Sequence, residues 1–415
     1  MSRKSLRLAL LASTAMLLTA PPAAAVIKVQ CPGDTNGDGI ISGSETLADG
    51  QKCLHLSAGD GFINMADVSR NPNGARGKLQ YVFGFSDVTD VPAVDVTTAA
   101  AGHASLAAPT IVVDEGDEVY LTLSNIGFVQ RPDLFDPHSV HWHGFPNASA
   151  IFDGVPEASI ATNPSASMTY YYKVSEPGTY MYHCHVEATE HMQMGMLGNL
   201  YVRPQQNRLP AGTVLGSHSH AAGDTYVYND GDGSTRYDVE YPIQIHSFDP
   251  AFHDASMTVQ PLPFALMKDT YPMLNGRGYP ETINPQPLAN SENGAVSQPL
   301  PALIEATAGQ RILLRLSNLS VTRFYTLTAS GLPMQVVGHG ARILKGGGLP
   351  AGRPLYYKTL SVTLGGGEAR DVIIDTTGIA PGTYLLHAAE LNYLSNNQED
   401  YGGMMTEIVI RPGAA

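Results

Sequence analysis

The chain has 415 residues, a formal net charge of -14 at pH 7, 42 glycines, 29 prolines and three cysteines. That acidity argues against nucleic acid as a partner, because binding it takes a basic surface, and the length allows two or three domains. Abundant turn formers with few amphipathic helical windows point to an all-β chain.

At the N-terminus, MSRK is basic, LRLALLASTAMLLT is apolar and PPAAA ends in small residues, the order of a secretory signal peptide. Residues 1–25 are expected to be removed, leaving a more acidic, exported protein, periplasmic or extracellular. No later stretch is apolar enough to suggest a membrane span. An oxidising compartment favours pairing of two cysteines, and Cys31 and Cys53, close in sequence, are the natural disulfide. Between them, DTNGDGIISGSE (34–45) matches the calcium-loop pattern of EF-hands at every specified position. Asp34, Asn36, Asp38, Ser42 and Glu45 offer side-chain oxygens and Ile40 its carbonyl, although CPG ahead of the loop is no helix. Residues 26–77 are therefore read as a small loop-rich segment with a structural calcium site. NDGDGS (229–234) resembles a second, shorter calcium turn.

Beyond it the chain repeats itself. PTIVVDEGDEVYLTLSN (109–125) returns as PALIEATAGQRILLRLSN (301–318), EPGTYMYH (176–183) as APGTYLLH (380–387), and LGNLYVRP (197–204) as MTEIVIRP (405–412). Order and spacing are kept, and apolar residues alternate as in half-buried strands. The expectation is two β-sandwich domains, 78–205 and 224–412, joined by a polar linker at 206–223.

Metal-binding residue types crowd into the first copy, as HSVHWHG (138–144) and HCHVEATEHMQMGM (183–196). Residues two apart on a strand share a face, so His141 pairs with His143 and His183 with His185, while Cys184 points the other way. His138 shares the face opposite to His141 and His143 if the strand reaches it. Two groups follow. His138, Cys184, His191 and Met196 make two imidazoles, a thiolate and a thioether, the composition of a trigonal copper site with a weak axial methionine; Met192 and Met194 are the alternative axial residues. His141, His143, His183 and His185 make an all-imidazole group suited to copper that meets oxygen. Cys184 is bonded through the chain to both His183 and His185, which gives an electron a short path between the groups.

In these motifs the chain resembles the multicopper oxidases, laccase-like members of the cupredoxin superfamily, over nearly its whole length after residue 78. The resemblance implies two Greek-key cupredoxin-like sandwiches. It makes His138, Cys184, His191 and Met196 the type 1 ligands, His141 a type 2 ligand, and His143, His183 and His185 type 3 ligands. Asp153, in FDGVP, matches the acidic residue near the type 2 copper and is a proton-donor candidate; as an Asp before Gly it also fits a plain turn. The seven-residue step from Cys184 to His191 is longer than laccases usually have and looks toward copper nitrite reductases. The family's trinuclear cluster takes four His-x-His pairs, two from each of two facing domains. Here Thr328 and Ser330 replace one pair of the second domain, and Ala388 and Ala389 follow the lone His387, so that domain looks degenerate in copper chemistry; His387, with His339 beside it as a candidate, remains as a contributor to a smaller site. The implied activity is one-electron oxidation of a small-molecule or metal-ion reductant, or of a redox protein, with oxygen as acceptor, in a homo-oligomer such as a trimer. The rivals are a nitrite reductase-like enzyme and a non-enzymatic blue-copper carrier.

Overall fold

The computed structural model describes residues 27–66, 78–348 and 352–413; the segment read as a signal peptide lies outside them. Among the described residues no helix is long and apolar enough to cross a membrane.

The first sandwich has two four-stranded sheets. One is ordered β2-β1-β4-β6, from β1 (Gln51–Asn64), β2 (Leu79–Asp87), β4 (Glu118–Gly127) and β6 (Ala166–Lys173). The other is β3-β8-β7-β5, from β3 (Ala108–Asp114), β5 (His141–His143), β7 (Gly178–His183) and β8 (Leu197–Arg203). Alternation along these strands places Leu121, Leu123, Tyr170, Tyr172, Trp142 and Tyr180 in one buried core, with Trp142 stacked on Tyr172 at 3.9 Å between centroids.

One expectation needs correction. Residues 26–77 are not merely loop-rich, because β1 runs for 14 residues and pairs with β2 and, in parallel, with β4. The sequence SAGDGF mimics a turn, yet its glycines serve close packing. A Cβ on Gly61 would lie 2.8 Å from the Gly102 carbonyl oxygen, and one on Gly84 of β2 2.6 Å from that of Ser105. Asp60 is buried but satisfied, accepting from the backbone of Val129 and Gln130 and from the Tyr81 hydroxyl. The sandwich thus begins at β1, not at residue 78.

The second sandwich repeats this plan strand for strand. Its sheets run 271–274, 239–248, 311–318, 368–375 and 304–307, 405–411, 382–388, 325–329 along the matching paths, with further short strands at the edges. The same two pairings are parallel in each copy. The copies meet where β7 faces 311–318 and 368–375 and β8 faces 239–248. There Arg315, fully buried, bonds Glu240 at 3.0 Å and Asp371 at 3.5 Å and lies 4.5 Å from the Tyr201 ring centre. The network reaches the first sandwich through Thr179, whose hydroxyl donates to Asp371, and through Arg203, which bonds Glu240 at 3.0 Å, so removing one partner would strand a buried charge where the domains dock.

Candidate metal centres

Cys184 directly follows β7 and is wholly buried in the core. His138 lies just ahead of β5, in an isolated bridge to Thr162 rather than in the strand itself. His191 sits on a seven-residue helix, Ala188–Met194, that occupies the long step noted in the sequence. These three converge. Cys184 Sγ lies 3.1 Å from His191 Nδ1 and 3.9 Å from His138 Nδ1. Burial by itself would raise the thiol, but His191 and His138 bring it down to about 5, which favours the thiolate that binds metals. On its far side, His191 Nε2 is 3.1 Å from the Asp136 carboxylate. Burial opposes that carboxylate's charge, yet the bond to His191 holds it below the usual range. Met196 is buried in the same core cluster, and its carbonyl accepts from the Cys184 backbone at 3.1 Å. Met194 is buried there too, whereas Met192 packs against Met181, Leu197 and Leu319 in another cluster. Both imidazoles turn the same nitrogen to the sulfur, so the donor set fits a His₂Cys copper site.

The second group forms on β5 and β7, where His141 lies directly across from His183. His141 Nδ1 is 2.6 Å from the Asp153 carbonyl oxygen and 3.5 Å from its carboxylate. His183 Nδ1 is 2.8 Å from the Cys184 carbonyl, and His143 Nδ1 is 3.2 Å from His183 Nε2. Donating Nδ1–H to a carbonyl leaves Nε2 of His141 and His183 as the ligand atom. Burial, reinforced by neighbouring imidazoles, lowers the proton affinity of all three, that of His183 to about 3. They are neutral and ready for a cation. Ligand atoms of these three lie within 4.8 Å of one another. His185 adjoins them, its ring centre 5.1 Å from that of His141.

The second sandwich keeps the geometry without the donors. Thr328 pairs with His387 as His141 pairs with His183, and His387 Nδ1 lies 2.8 Å from the next residue's carbonyl, as His183 Nδ1 does. Its Nε2 meets the Ser330 hydroxyl at 3.1 Å. His339 pairs with Arg370 on the other sheet, so it does not join His387.

Near the N-terminus, Cys31 and Cys53 form the disulfide and Cys184 is free. Carboxylate oxygens of Asp34, Asp38 and Glu45 gather within 4.8 Å. Asn36 accepts from Asp38 N and Asp38 from Ile40 N. Glu45 accepts from Thr35, Asn36 and Ser42, bonds that hold its carboxyl down to about 2, that of the Thr35 hydroxyl first. No helix flanks this loop. In the 229–234 turn the Lys345 ammonium bonds the Asp230 carbonyl at 2.8 Å and Asp232 at 2.7 Å, where a cation would otherwise go.

Sequence reasoning missed Asp136 and the two buried histidines His246 and His253, which lie 3.1 Å and 2.9 Å from the carbonyls of Met192 and Gln193. FDPH placed an acid near His138, which was the available signal for Asp136; nothing in the sequence pointed to the other two.

Family models described as multicopper oxidase match residues 90–207 and 257–413. The multicopper oxidase MCE of Talaromyces pinophilus is 35% identical over 101 residues, 24% of this chain and 15% of that protein. The chain therefore matches only a small part of such relatives. A blue copper oxidase structure from Nitrosomonas europaea superposes with a TM-score of 0.58 at 24% identity, covering 87% of this chain and 86% of that one. A copper-containing nitrite reductase from Thermus scotoductus gives 0.52 at 16% identity, covering 87% and 62%. Such likenesses show the fold alone.

Proposed function

The chain belongs to the multicopper oxidases, and from that premise we propose that it is an exported, copper-dependent oxidoreductase that takes single electrons from a reductant at the Cys184 site and delivers them at the histidine group, with oxygen as acceptor. The observation that carries this reading is the convergence of Cys184 with His138 and His191 in one buried pocket, joined through single peptide bonds to His183 and His185. Copper bound by these residues supplies reversible one-electron chemistry.

The chain's own residues do the rest. His138, Cys184, His191 and Met196 would hold copper in a buried core, which would limit rearrangement of these side chains when an electron is gained or lost. Asp136 orients the His191 ring through Nε2. His141, His143 and His185, half-buried, and His183, buried, present their imidazoles together, and Asp153 orients His141 through its carbonyl while its carboxyl group is placed to give a proton. The disulfide supports export to an oxidising compartment. Asp34, Asn36, Asp38, Ile40, Ser42 and Glu45 are proposed as a structural calcium loop. The face of strands 325–329 and 382–388, carrying Thr328 and His387 half-exposed, is proposed to meet another copy in a homo-oligomer, with a trimer as the expected form.

A nitrite reductase-like reading has its own support in the lost histidines of the second sandwich and in the helix between Cys184 and His191. Copper-loaded protein given a reductant decides between them. Oxygen uptake without nitrite consumption supports the oxidase, and nitrite consumption supports the rival. Blue protein with neither activity leaves an electron carrier.

A further inference from the structure

Three glycines in a row, Gly365, Gly366 and Gly367, form the turn that leads into strand 368–375 of the second sandwich, and each is closely packed. A Cβ on Gly365 would lie 2.5 Å from the Phe324 ring, and one on Gly366 2.5 Å from the Ser320 carbonyl oxygen. A Cβ on Gly367 would lie 2.9 Å from His143 Nε2 and 3.0 Å from its Cε1. The second sandwich thus reaches the histidine group with bare backbone. It does so at the ring that most needs support. His141 and His183 each turn Nδ1 to a carbonyl, of Asp153 and Cys184. His143 has no carbonyl partner among the described residues, and its Nδ1 faces His183 Nε2 at 3.2 Å.

The turn itself is firmly tied. Gly367 N donates to the Asn318 carbonyl at 2.8 Å, Glu368 N to that of Gly365 at 3.1 Å, and Gly365 N to the Glu368 carboxylate at 2.7 Å. The Asn318 side chain donates to the Leu364 carbonyl at 2.8 Å. Between a turn held by four bonds and a ring held by one, a side chain at 367 displaces the ring.

We propose that Gly367 is a positioning residue of the histidine group: its backbone backs the Nε2 edge of His143 so that Nδ1 turns to His183, and only glycine leaves room for this. The inference rests on reading His143 as a copper ligand. Because the main chain does the work, it survives the loss of imidazoles at 328, 330 and 389.

The test is Gly367→Ala in the full chain, with Gly378→Ala as control. Both glycines have positive φ, +83° and +76°, so both substitutions strain the backbone, but a Cβ at 378 meets nothing within 4 Å. In copper titrations against a competing chelator, Gly367→Ala should keep the blue absorption of the Cys184 site. It should bind copper at the histidine group roughly 10- to 100-fold more weakly, the range for groups that orient metal ligands, while Gly378→Ala matches the parent. In the metal-free chain Gly367→Ala should lower the melting temperature more than Gly378→Ala, and adding His143→Ala should recover the excess, since a double-mutant cycle reads the coupling of two touching residues. Should Gly367→Ala alone fail to fold, recovery of folding in the double variant gives the same answer. Unweakened copper at the histidine group, equal weakening in Gly378→Ala, or no recovery by His143→Ala would each overturn the proposal. A parent chain that binds copper at Cys184 alone would defeat the functional reading instead, and the metal-free cycle would still decide whether the turn holds His143.

Discussion

Copper content gives the sharpest quantitative test. The trinuclear cluster of this family draws on four His-x-His pairs, and at the matching motifs this chain has two, 141/143 and 183/185; a third, 218/220, lies in the linker, where His218 bonds Asp224 and His220 the Tyr226 hydroxyl. At the equivalent positions of the second sandwich stand Thr328, Ser330, His387 and Ala389, which the repeated cross-strand pairing locates. A hydroxyl or methyl does not replace an imidazole for copper. His387 itself is held by Ser330 and by the Ala388 carbonyl. The chain should therefore bind one copper at Cys184 and about one more at the histidine group, roughly two per chain, against four in a complete oxidase. The assay is elemental analysis of copper-loaded, gel-filtered protein with the oligomeric state measured alongside. His387→Ala should leave the count unchanged, and His183→Ala should lower it by about one while the blue absorption persists. Four coppers per chain, unaltered by His387→Ala, would refute the reasoning, because ligands not recognised here would then close the cluster.

Cys184→Ser should abolish the blue absorption and the copper it reports, with the melting temperature of the metal-free protein changed by only a few degrees; retained colour would end the assignment. Replacing Cys31 and Cys53 by Ala should cost about 3 kcal/mol in urea unfolding, since the bridge spans 22 residues. Calcium at a hundredfold excess over its dissociation constant should stabilise the chain by about 2.7 kcal/mol, and Glu45→Gln should remove the effect; no thermal shift in the parent chain would dismiss the site. His253 is buried and its proton affinity is lowered to about 4, burial being the main cause. Since the unfolded chain titrates near 6.5, it binds the extra proton first. Stability should therefore fall by up to roughly 3 kcal/mol as pH drops from about 6.5 to 4, with no contribution above that window. His253→Gln should flatten this part of the pH profile, and an unchanged slope in urea titrations would count against it.

The fold was legible because the duplication wrote the same apolar alternation twice, and the repeated pairing of His141 with His183 and Thr328 with His387 follows from it. That the two groups of candidate ligands assemble was legible for a related reason, since strand parity separates Cys184 from its neighbours. What stayed hidden depends on contacts distant in sequence. β1 reads as a turn until Gly61 and Gly84 are seen against 102–105. Asp136 acquires meaning only when the helix brings His191 Nε2 to it. Met192 was an axial candidate by spacing, and only the domain interface assigns it elsewhere.

The second sandwich has a reason to persist that is independent of its lost imidazoles. The helix Ala188–Met194 has seven residues, too short to be stable alone, yet it must place His191 and deliver Met196. Three ties from the second sandwich reach the stretch between them. His246 Nε2 donates to the Met192 carbonyl at 3.1 Å, the His253 ring spans the carbonyls of Gln193 at 2.9 Å and Tyr81 at 2.5 Å, and Asp269 accepts from the Gln193 side chain at 3.3 Å. His246, His253, Gln193 and Asp269 are buried, where an unmade hydrogen bond costs about 1–3 kcal/mol. Losing donors at 328, 330 and 389 touches none of them, because those positions lie on the opposite sheet, facing away from its core. A domain emptied of copper chemistry thus still fixes the loop on which the Cys184 site depends.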